Sequence, residues 1–87
     1  MYYVYLLQSL SHPTKKYVGF TDDLKQRLET HNTGGSVYTK PYRPWKIVAI
    51  MGVETKEQAL SLEKYLKTGS GSIFAKRHLW PEISLKT

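Results

Sequence analysis

The absence of cysteine is the feature that most constrains how this chain can fold, since none of its 87 residues is a cysteine. A short chain buries a limited apolar core, and many small domains add disulfides or thiolate-bound zinc to it. Both kinds of cross-link are excluded here, and so is a cysteine nucleophile. Packing of the hydrophobic residues, 40% of the chain, must therefore hold the fold together. A chain of this length predicts a single domain, residues 1–87.

The net charge indicates the class of partner. Thirteen lysines and arginines against seven aspartates and glutamates give a formal net charge of +6 at pH 7. A basic balance on a small domain is the first sign of nucleic-acid binding, although charge says nothing about the fold. No apolar run approaches the roughly 18–20 residues of a membrane span, and no signal-peptide pattern opens the chain. We therefore expect a cytoplasmic protein with nucleic acid, and no membrane, as its partner.

The spacing of apolar residues and helix breakers predicts an α+β (mixed α/β) fold. It consists of a small three-stranded antiparallel sheet flanked by three helices, in the order ββαβαα. Thr21 is expected to cap the first helix, and Thr55 with Gln58 has the form of a capping box at the second. The third strand is apolar on both faces, which predicts a central position. The predicted strands are residues 2–7, 16–20 and 47–53, and the predicted helices are approximately residues 22–31, 55–67 and 72–79.

Polar residues on the apolar sides of two predicted helices are the strongest local sign of a functional site. Glu63 falls within the stripe that contains Ala59 and Leu66, and a buried carboxylate is costly unless a cation, metal or donor compensates it. Arg27 and His31 lie one turn apart on the apolar side of the first helix. Their convergence indicates a polar site where the helices meet the sheet. Two alternatives stay open: Glu63 pairs with a lysine at the edge of the stripe, and His31 is a structural residue.

The two predicted N-terminal strands carry a recognisable motif. Tyr3-Val4-Tyr5 and Tyr17-Val18-Gly19, with eleven residues between Tyr5 and Tyr17, resemble the GIY and YIG tripeptides of the GIY-YIG nuclease superfamily. The segment 21–32 is similar to the first helix of that superfamily, and residues 59–67 resemble the helix that carries its metal-binding glutamate. The resemblance covers about residues 3–79, and small stand-alone bacterial members are the most similar.

The resemblance implies metal-dependent hydrolysis of DNA phosphodiester bonds, with a place in DNA repair or recombination. It implies that Tyr17 acts as the general base or orients the attacking water, supported by Tyr5. Arg27 would stabilise the pentacovalent phosphate, and His31 would assist proton transfer or position the phosphate. Glu63 would hold a single divalent ion, Mg²⁺ or Mn²⁺. One carboxylate can suffice, because Mg²⁺ keeps most of its waters and takes the rest of its ligands from substrate phosphate.

Basic and aromatic residues alternate in the predicted loop 36–46, a pattern suited to phosphates and stacked bases. A proline-bent loop whose aromatic rings cover the core would give the same pattern. The candidate nucleic-acid-binding residues are Lys40, Tyr42, Arg43, Trp45 and Lys46.

Two other functions stay open. Phe20 stands where some GIY-YIG members carry a lysine, and Ser72 stands where a segment that often reads GSGR has arginine. These departures, with the +6 charge, favour a nucleic-acid-binding module with weak or lost catalysis. A third possibility is an interaction domain whose tyrosines only fill the core. The structure separates the alternatives by whether Tyr17, Arg27 and Glu63 converge.

Overall fold

One antiparallel sheet and three helices make up the described part of the chain, residues 1–81 of a computed structural model. The order ββαβαα and the α+β class are confirmed. Residues 82–87 of the predicted domain lie outside the described residues. The strands are β1 (Tyr2–Ser9), β2 (Lys16–Thr21) and β3 (Trp45–Val53), and the helices are α1 (Leu24–Thr33), α2 (Lys56–Lys67) and α3 (Gly69–His78), with a 3-10 turn at Lys40–Tyr42.

The strand order β2-β1-β3 places β1 in the middle of the sheet. The prediction of a central third strand is therefore wrong. The burial pattern gives the reason: β1 is buried without interruption from Val4 to Ser9, whereas β3, after the buried Trp45 at its start, mixes half-buried and exposed residues. Ile50 of β3, for example, is 48% exposed. As an edge strand, β3 is only partly buried. Its apolar composition alone does not distinguish a partly buried edge strand from a fully buried central one.

Side chains of β1 alternate between two cores on opposite faces of the sheet. On one face Val4 and Leu6 pack with residues of α2 and α3, and on the other Tyr5 and Leu7 pack with Trp45 and with residues of α1. The helices thus cover both faces. No helix in residues 1–81 has the length and apolar character needed to cross a membrane.

Local capping explains where α1 and α2 begin. The side chain of Asp23, rather than Thr21, caps α1, since Asp23 Oδ1 accepts from the Gln26 N–H at 3.1 Å. The Thr21 hydroxyl lies one step earlier and accepts from the Asp23 N–H at 3.1 Å. At α2 the predicted capping box is confirmed, with both the Thr55 and the Gln58 side-chain bonds formed.

The junction of α2 and α3 depends on two glycines. Gly69 has a left-handed backbone with φ of 57°, a conformation that favours glycine. Gly71 is buried in α3, where a Cβ would lie 1.8 Å from the carbonyl oxygen of Tyr65. The third helix therefore begins at Gly69, three residues before its predicted start, and its first turn packs directly on the end of α2.

Candidate active site

Two tyrosines on neighbouring strands lie together over a glycine. Tyr5 of β1 is paired with Gly19 of β2, and the ring centroids of Tyr5 and Tyr17 are 6.2 Å apart. A Cβ on Gly19 would lie 2.6 Å from the Tyr5 hydroxyl oxygen and 2.8 Å from Cε2 of Tyr17. Because real Cβ atoms do not approach so closely in packed interiors, the two rings require glycine here. Gly19 forms no bulge, since the β1–β2 register is regular through it.

A buried chain of hydrogen bonds starts at Tyr5 and ends in the loop after α1. The Tyr5 hydroxyl oxygen lies 3.0 Å from His31 Nε2, and His31 Nδ1 lies 2.8 Å from the Thr39 hydroxyl oxygen. All three residues are at most 1% exposed. A neutral histidine has one donor and one acceptor nitrogen. With Tyr5 donating to Nε2, the Nδ1–H donates to Thr39, so every member has a partner.

Burial keeps the first two members of this chain uncharged at neutral pH. Burial of the hydroxyl, assisted by Tyr17 and Glu63 and opposed by Arg27, raises the pKa of Tyr5 to about 12. Burial of the imidazole, together with the positive charge of Arg27, lowers the pKa of His31 below 6.5. Tyr5 is therefore a proton donor in this site and not a base.

The side chains that affect the pKa of Tyr5 come from other elements of the fold. Tyr17 from β2, Arg27 from α1 and Glu63 from α2 all lie close enough to change the pKa of its hydroxyl. These residues come from three elements of the fold. Tyr5 also belongs to a buried core cluster against which Tyr17 packs, so the catalytic roles of these residues, and the alternative in which the tyrosines only fill the core, stay predictions.

Glu63 fits both interpretations drawn from the sequence, a carboxylate within the apolar stripe and a carboxylate paired with a lysine. Its side chain is 16% exposed, and Oε2 lies 3.2 Å from Nζ of Lys67, one turn further along α2. The lysine is 48% exposed and lines an open cleft of about 320 Å³ along the edge of β2. The carboxylate is therefore largely buried and paired with a lysine at once. The cleft is lined by Lys16, Tyr17, Val18, Tyr38 and Lys67.

The donor set near Glu63 fits some metals and not others. Within residues 1–81, no three histidines, aspartates or glutamates are grouped as a metal site would require. Zinc, which takes three or four protein ligands, does not fit this arrangement. Mg²⁺ does, because it accepts one or two carboxylates and completes its shell with water and substrate phosphate. Glu63 is the residue that would hold it, with the Lys67 ammonium giving way.

Two sequence-based assignments need correction. Trp45 is 2% exposed and its indole Nε1 donates to the Thr39 carbonyl oxygen at 2.9 Å. Its ring fills the core under α1, so the prediction that Trp45 stacks on bases is wrong. His31 is 1% exposed with both ring nitrogens bonded. The phosphate-positioning alternative for His31 is therefore wrong, whereas its assistance to proton transfer stays a prediction.

The other candidate nucleic-acid-binding residues lie at the surface. Lys40, Arg43 and Lys46 are exposed and Tyr42 is half-buried. Their contact with nucleic acid stays a prediction.

The sequence did not mark two residues that build the site, Thr39 and Asn32, and it left the lysine partner of Glu63 unnamed. Thr39 holds His31, but it lies in a loop without periodicity, and no pattern marks it. Asn32 holds the start of β3, because its side chain accepts from the Trp45 N–H at 2.6 Å and donates to the Trp45 carbonyl at 3.1 Å. Lys67 lies four residues after Glu63, a helical spacing from which the ion pair could have been found.

Comparison with known proteins agrees with this geometry. The family model described as the GIY-YIG catalytic domain matches residues 1–77. The chain belongs to the GIY-YIG family. Its two tripeptides, far apart in sequence, meet in space where Tyr5, the last residue of the first, faces Gly19, the last of the second.

Relatives of this GIY-YIG chain include proteins of two kinds. A UPF0213 protein of Streptococcus pneumoniae is 38% identical over 66 residues, 75% of this chain and 65% of that protein. The UPF0213 protein YsiG of Lactococcus lactis is 40% identical over 76% of this chain and 62% of its own length. The structure-specific endonuclease subunit SLX1 of Malassezia globosa is 40% identical over 72% of this chain but 15% of that protein. The chain thus spans less than two thirds of the length of these relatives.

A solved structure supports the fold. The solution NMR structure of the UPF0213 protein BH0048 from Bacillus halodurans has a TM-score of 0.53 and 28% identity to this chain. The match covers 93% of this chain and 89% of that one. The order of strands and helices is therefore shared with an experimentally determined relative.

Proposed function

We propose that this GIY-YIG chain is an endonuclease that hydrolyses DNA phosphodiester bonds with the help of one divalent ion, Mg²⁺ or Mn²⁺. The observation that carries the proposal is that Tyr17 and Lys67, the ion-pair partner of Glu63, line one cleft beside the buried Tyr5. Arg27 and Glu63 both act on the pKa of the neighbouring Tyr5, and a cation, a carboxylate and a tyrosine are the groups that phosphodiester hydrolysis needs.

Each residue has a distinct part in the proposed reaction. Tyr17 lines the cleft and orients the attacking water. Arg27 offsets the negative charge that develops on the phosphate oxygens, and Glu63 would hold the metal, which supplies Lewis-acid stabilisation when bound. Tyr5 keeps its proton, because its pKa is about 12. We therefore assign it the positioning of Tyr17, across the shared Gly19 contact.

DNA as the substrate is supported by charge and by relatives. The net charge of +6 favours a polyanion. Two relatives, from Malassezia globosa and Candida dubliniensis, are named structure-specific endonuclease subunit SLX1. We propose that this chain likewise cleaves branched or nicked DNA in preference to continuous DNA. We also propose that it acts together with a partner protein.

A cleavage panel tests the proposed function. End-labelled linear, nicked and branched DNA are incubated with the protein in Mg²⁺, in Mn²⁺ or in chelator. We expect cleavage that requires the metal and falls about 100-fold or more in Tyr17→Phe, which loses only the hydroxyl that orients the attacking water. Tyr65→Phe removes a hydroxyl from an exposed residue of α2 and is the matched control.

Two outcomes of the panel contradict the proposal. Cleavage by Tyr17→Phe at the rate of Tyr65→Phe would refute the role of Tyr17. Salt-dependent binding of DNA with no cleavage under any metal would instead support the alternative, a binding module with weak or lost catalysis.

A further inference from the structure

A row of aromatic rings leads from the cleft across the surface, and the proposed mechanism uses only its first member. From Tyr17 the centroid distances are 6.0 Å to Tyr38, then 6.3 Å to Tyr42 and 5.3 Å to His12. Tyr38, the second ring, is 55% exposed. Tyr17 and Tyr42 are half-buried, and His12 is exposed. We call Tyr17, Tyr38, Tyr42 and His12 the aromatic row.

The exposure of Tyr38 is not explained by core packing. Its neighbour Val37, at the same loop, is 93% exposed, so this loop presents apolar surface to the solvent beside the cleft. Single exposed apolar residues are ordinary on proteins. A continuous series of rings that begins at the candidate active site is a more specific arrangement, because it offers flat surfaces to a ligand that already occupies the cleft.

Apart from Glu63, which pairs with Lys67 at the Tyr17 end, the charges along the aromatic row are positive. Lys15 Nζ lies 5.1 Å from the centroid of Tyr42, and Lys16 and Lys67 line the cleft at the Tyr17 end. The segments that supply the four rings, residues 1–21 and 30–53, contain no aspartate or glutamate. A ligand with negative charge and flat apolar faces therefore complements this surface.

Single-stranded nucleic acid has both properties. In a duplex the base faces are covered by neighbouring bases, so aromatic side chains can stack only on unpaired ones. Proteins that bind single strands combine a basic track with aromatic rings on which successive bases stack. The aromatic row, bordered by lysines, matches that combination.

We propose that the aromatic row binds the single-stranded DNA that adjoins the scissile phosphate, with bases on Tyr38 and Tyr42 and phosphates against Lys15 and Lys16. The position of the scissile phosphate rests on the proposed function. This surface favours substrates in which single-stranded and duplex DNA meet, since the strand leaving the cleft must be unpaired to reach Tyr38.

Fluorescence anisotropy in chelator, with no cleavage possible, tests the aromatic row by itself. The ligands are a labelled oligo-dT strand, a blunt duplex and an oligo-U strand. Tyr38→Ala is expected to weaken oligo-dT binding about 5- to 150-fold, the range for loss of one stacked base, and to change duplex binding less than about twofold. Tyr38→Phe keeps the ring and should bind as the wild type does. Phe74→Ala, which truncates a ring of α3 that is 43% exposed, is the matched control.

Several results would overturn the proposal. These are unchanged oligo-dT binding by Tyr38→Ala, an equal loss on duplex, an equal loss in Phe74→Ala, or binding by Tyr38→Leu as tight as by the wild type. Tighter binding of oligo-U than of oligo-dT would overturn the assignment to DNA, and weaker binding would support it. Since the assay contains no metal, an absence of nuclease activity would refute the proposed function without changing this result.

Discussion

Replacing Gly19 by alanine is predicted to disrupt the site, although the backbone itself accepts alanine. Gly19 is not among the glycines with positive φ, so alanine brings no backbone strain. Without the clash, the substitution would raise the free energy of unfolding by about 0.4–1 kcal/mol, because alanine lowers the conformational entropy of the unfolded chain. The added methyl, however, would lie 2.6 Å from the Tyr5 hydroxyl oxygen and 2.8 Å from Cε2 of Tyr17.

The cost of that clash follows from the surroundings of Tyr5. The ring is 1% exposed and its hydroxyl is bonded to His31, so it has no solvent-filled space into which to move. Overpacking of this kind costs about 1–3 kcal/mol, and a strained Tyr5–His31 hydrogen bond adds about 0.5–1.5 kcal/mol. After the backbone gain, Gly19→Ala should lower the free energy of unfolding by about 0.5–4 kcal/mol. Activity should fall further, because Tyr17 is displaced.

Urea unfolding and the cleavage assay, performed on the same preparations, measure both effects. Gly52→Ala is the matched control. It lies in the same sheet, and its Cβ would meet the Sδ atom of Met1 at 2.8 Å, the end of a flexible side chain that is 71% exposed. We expect Gly52→Ala to be neutral or slightly stabilising. Equal stability and equal activity of the two variants would refute the requirement for glycine beneath the two tyrosines.

Two further predictions concern the buried histidine and the helix junction. Because the folded pKa of His31 is lowered below 6.5, the unfolded chain binds a proton there that the native chain does not. The free energy of unfolding should therefore fall as the pH decreases from about 7 to 5. In His31→Gln, urea unfolding should show a weaker dependence of this free energy on pH. The same pH dependence in the variant and the wild type would contradict the prediction. Gly71→Ala, whose Cβ would lie 1.8 Å from the Tyr65 carbonyl oxygen, should cost about 3 kcal/mol or more. The added methyl of Gly69→Ala meets nothing within 4 Å, so this variant should lose only about 1 kcal/mol of unfolding free energy, for its left-handed backbone. A larger loss in Gly69→Ala than in Gly71→Ala, measured by urea unfolding, would contradict the close packing of Gly71 on Tyr65.

Local patterns were sufficient to predict the order of elements and the pairing of Glu63 with a lysine. The capping box at Thr55 depends on residues within one turn, and the ion pair of Glu63 depends on helical spacing, so both are visible in sequence. The meeting of Tyr5 with Gly19 follows from the antiparallel pairing of the first two strands. These features need no knowledge of distant contacts.

The errors arose where distant contacts decide the outcome. Trp45 looks like a loop aromatic, but Asn32 bonds to its backbone and its ring enters the core. His31 looks available to a phosphate, but Thr39 and Tyr5 occupy both of its nitrogens. The central position of β1 likewise depends on which strands pair, and the apolar content of β3 does not reveal that.

The central claim is that Glu63 is part of a hydrolytic site, and a Mg²⁺ titration of single-turnover DNA cleavage tests it most directly. The variant Glu63→Gln should fold normally, since its ion pair with a half-exposed lysine four residues away is worth only about 0.3–0.5 kcal/mol. The control Glu57→Gln changes an exposed glutamate in the first turn of the same helix.

We predict a wild-type rate that rises with Mg²⁺ to a plateau, and the same curve for Glu57→Gln. The rate of Glu63→Gln should be at least about 100-fold below the wild-type rate at every Mg²⁺ concentration, since loss of the metal removes several kcal/mol of charge stabilisation. A Glu63→Gln curve that coincides with that of Glu57→Gln would contradict the account.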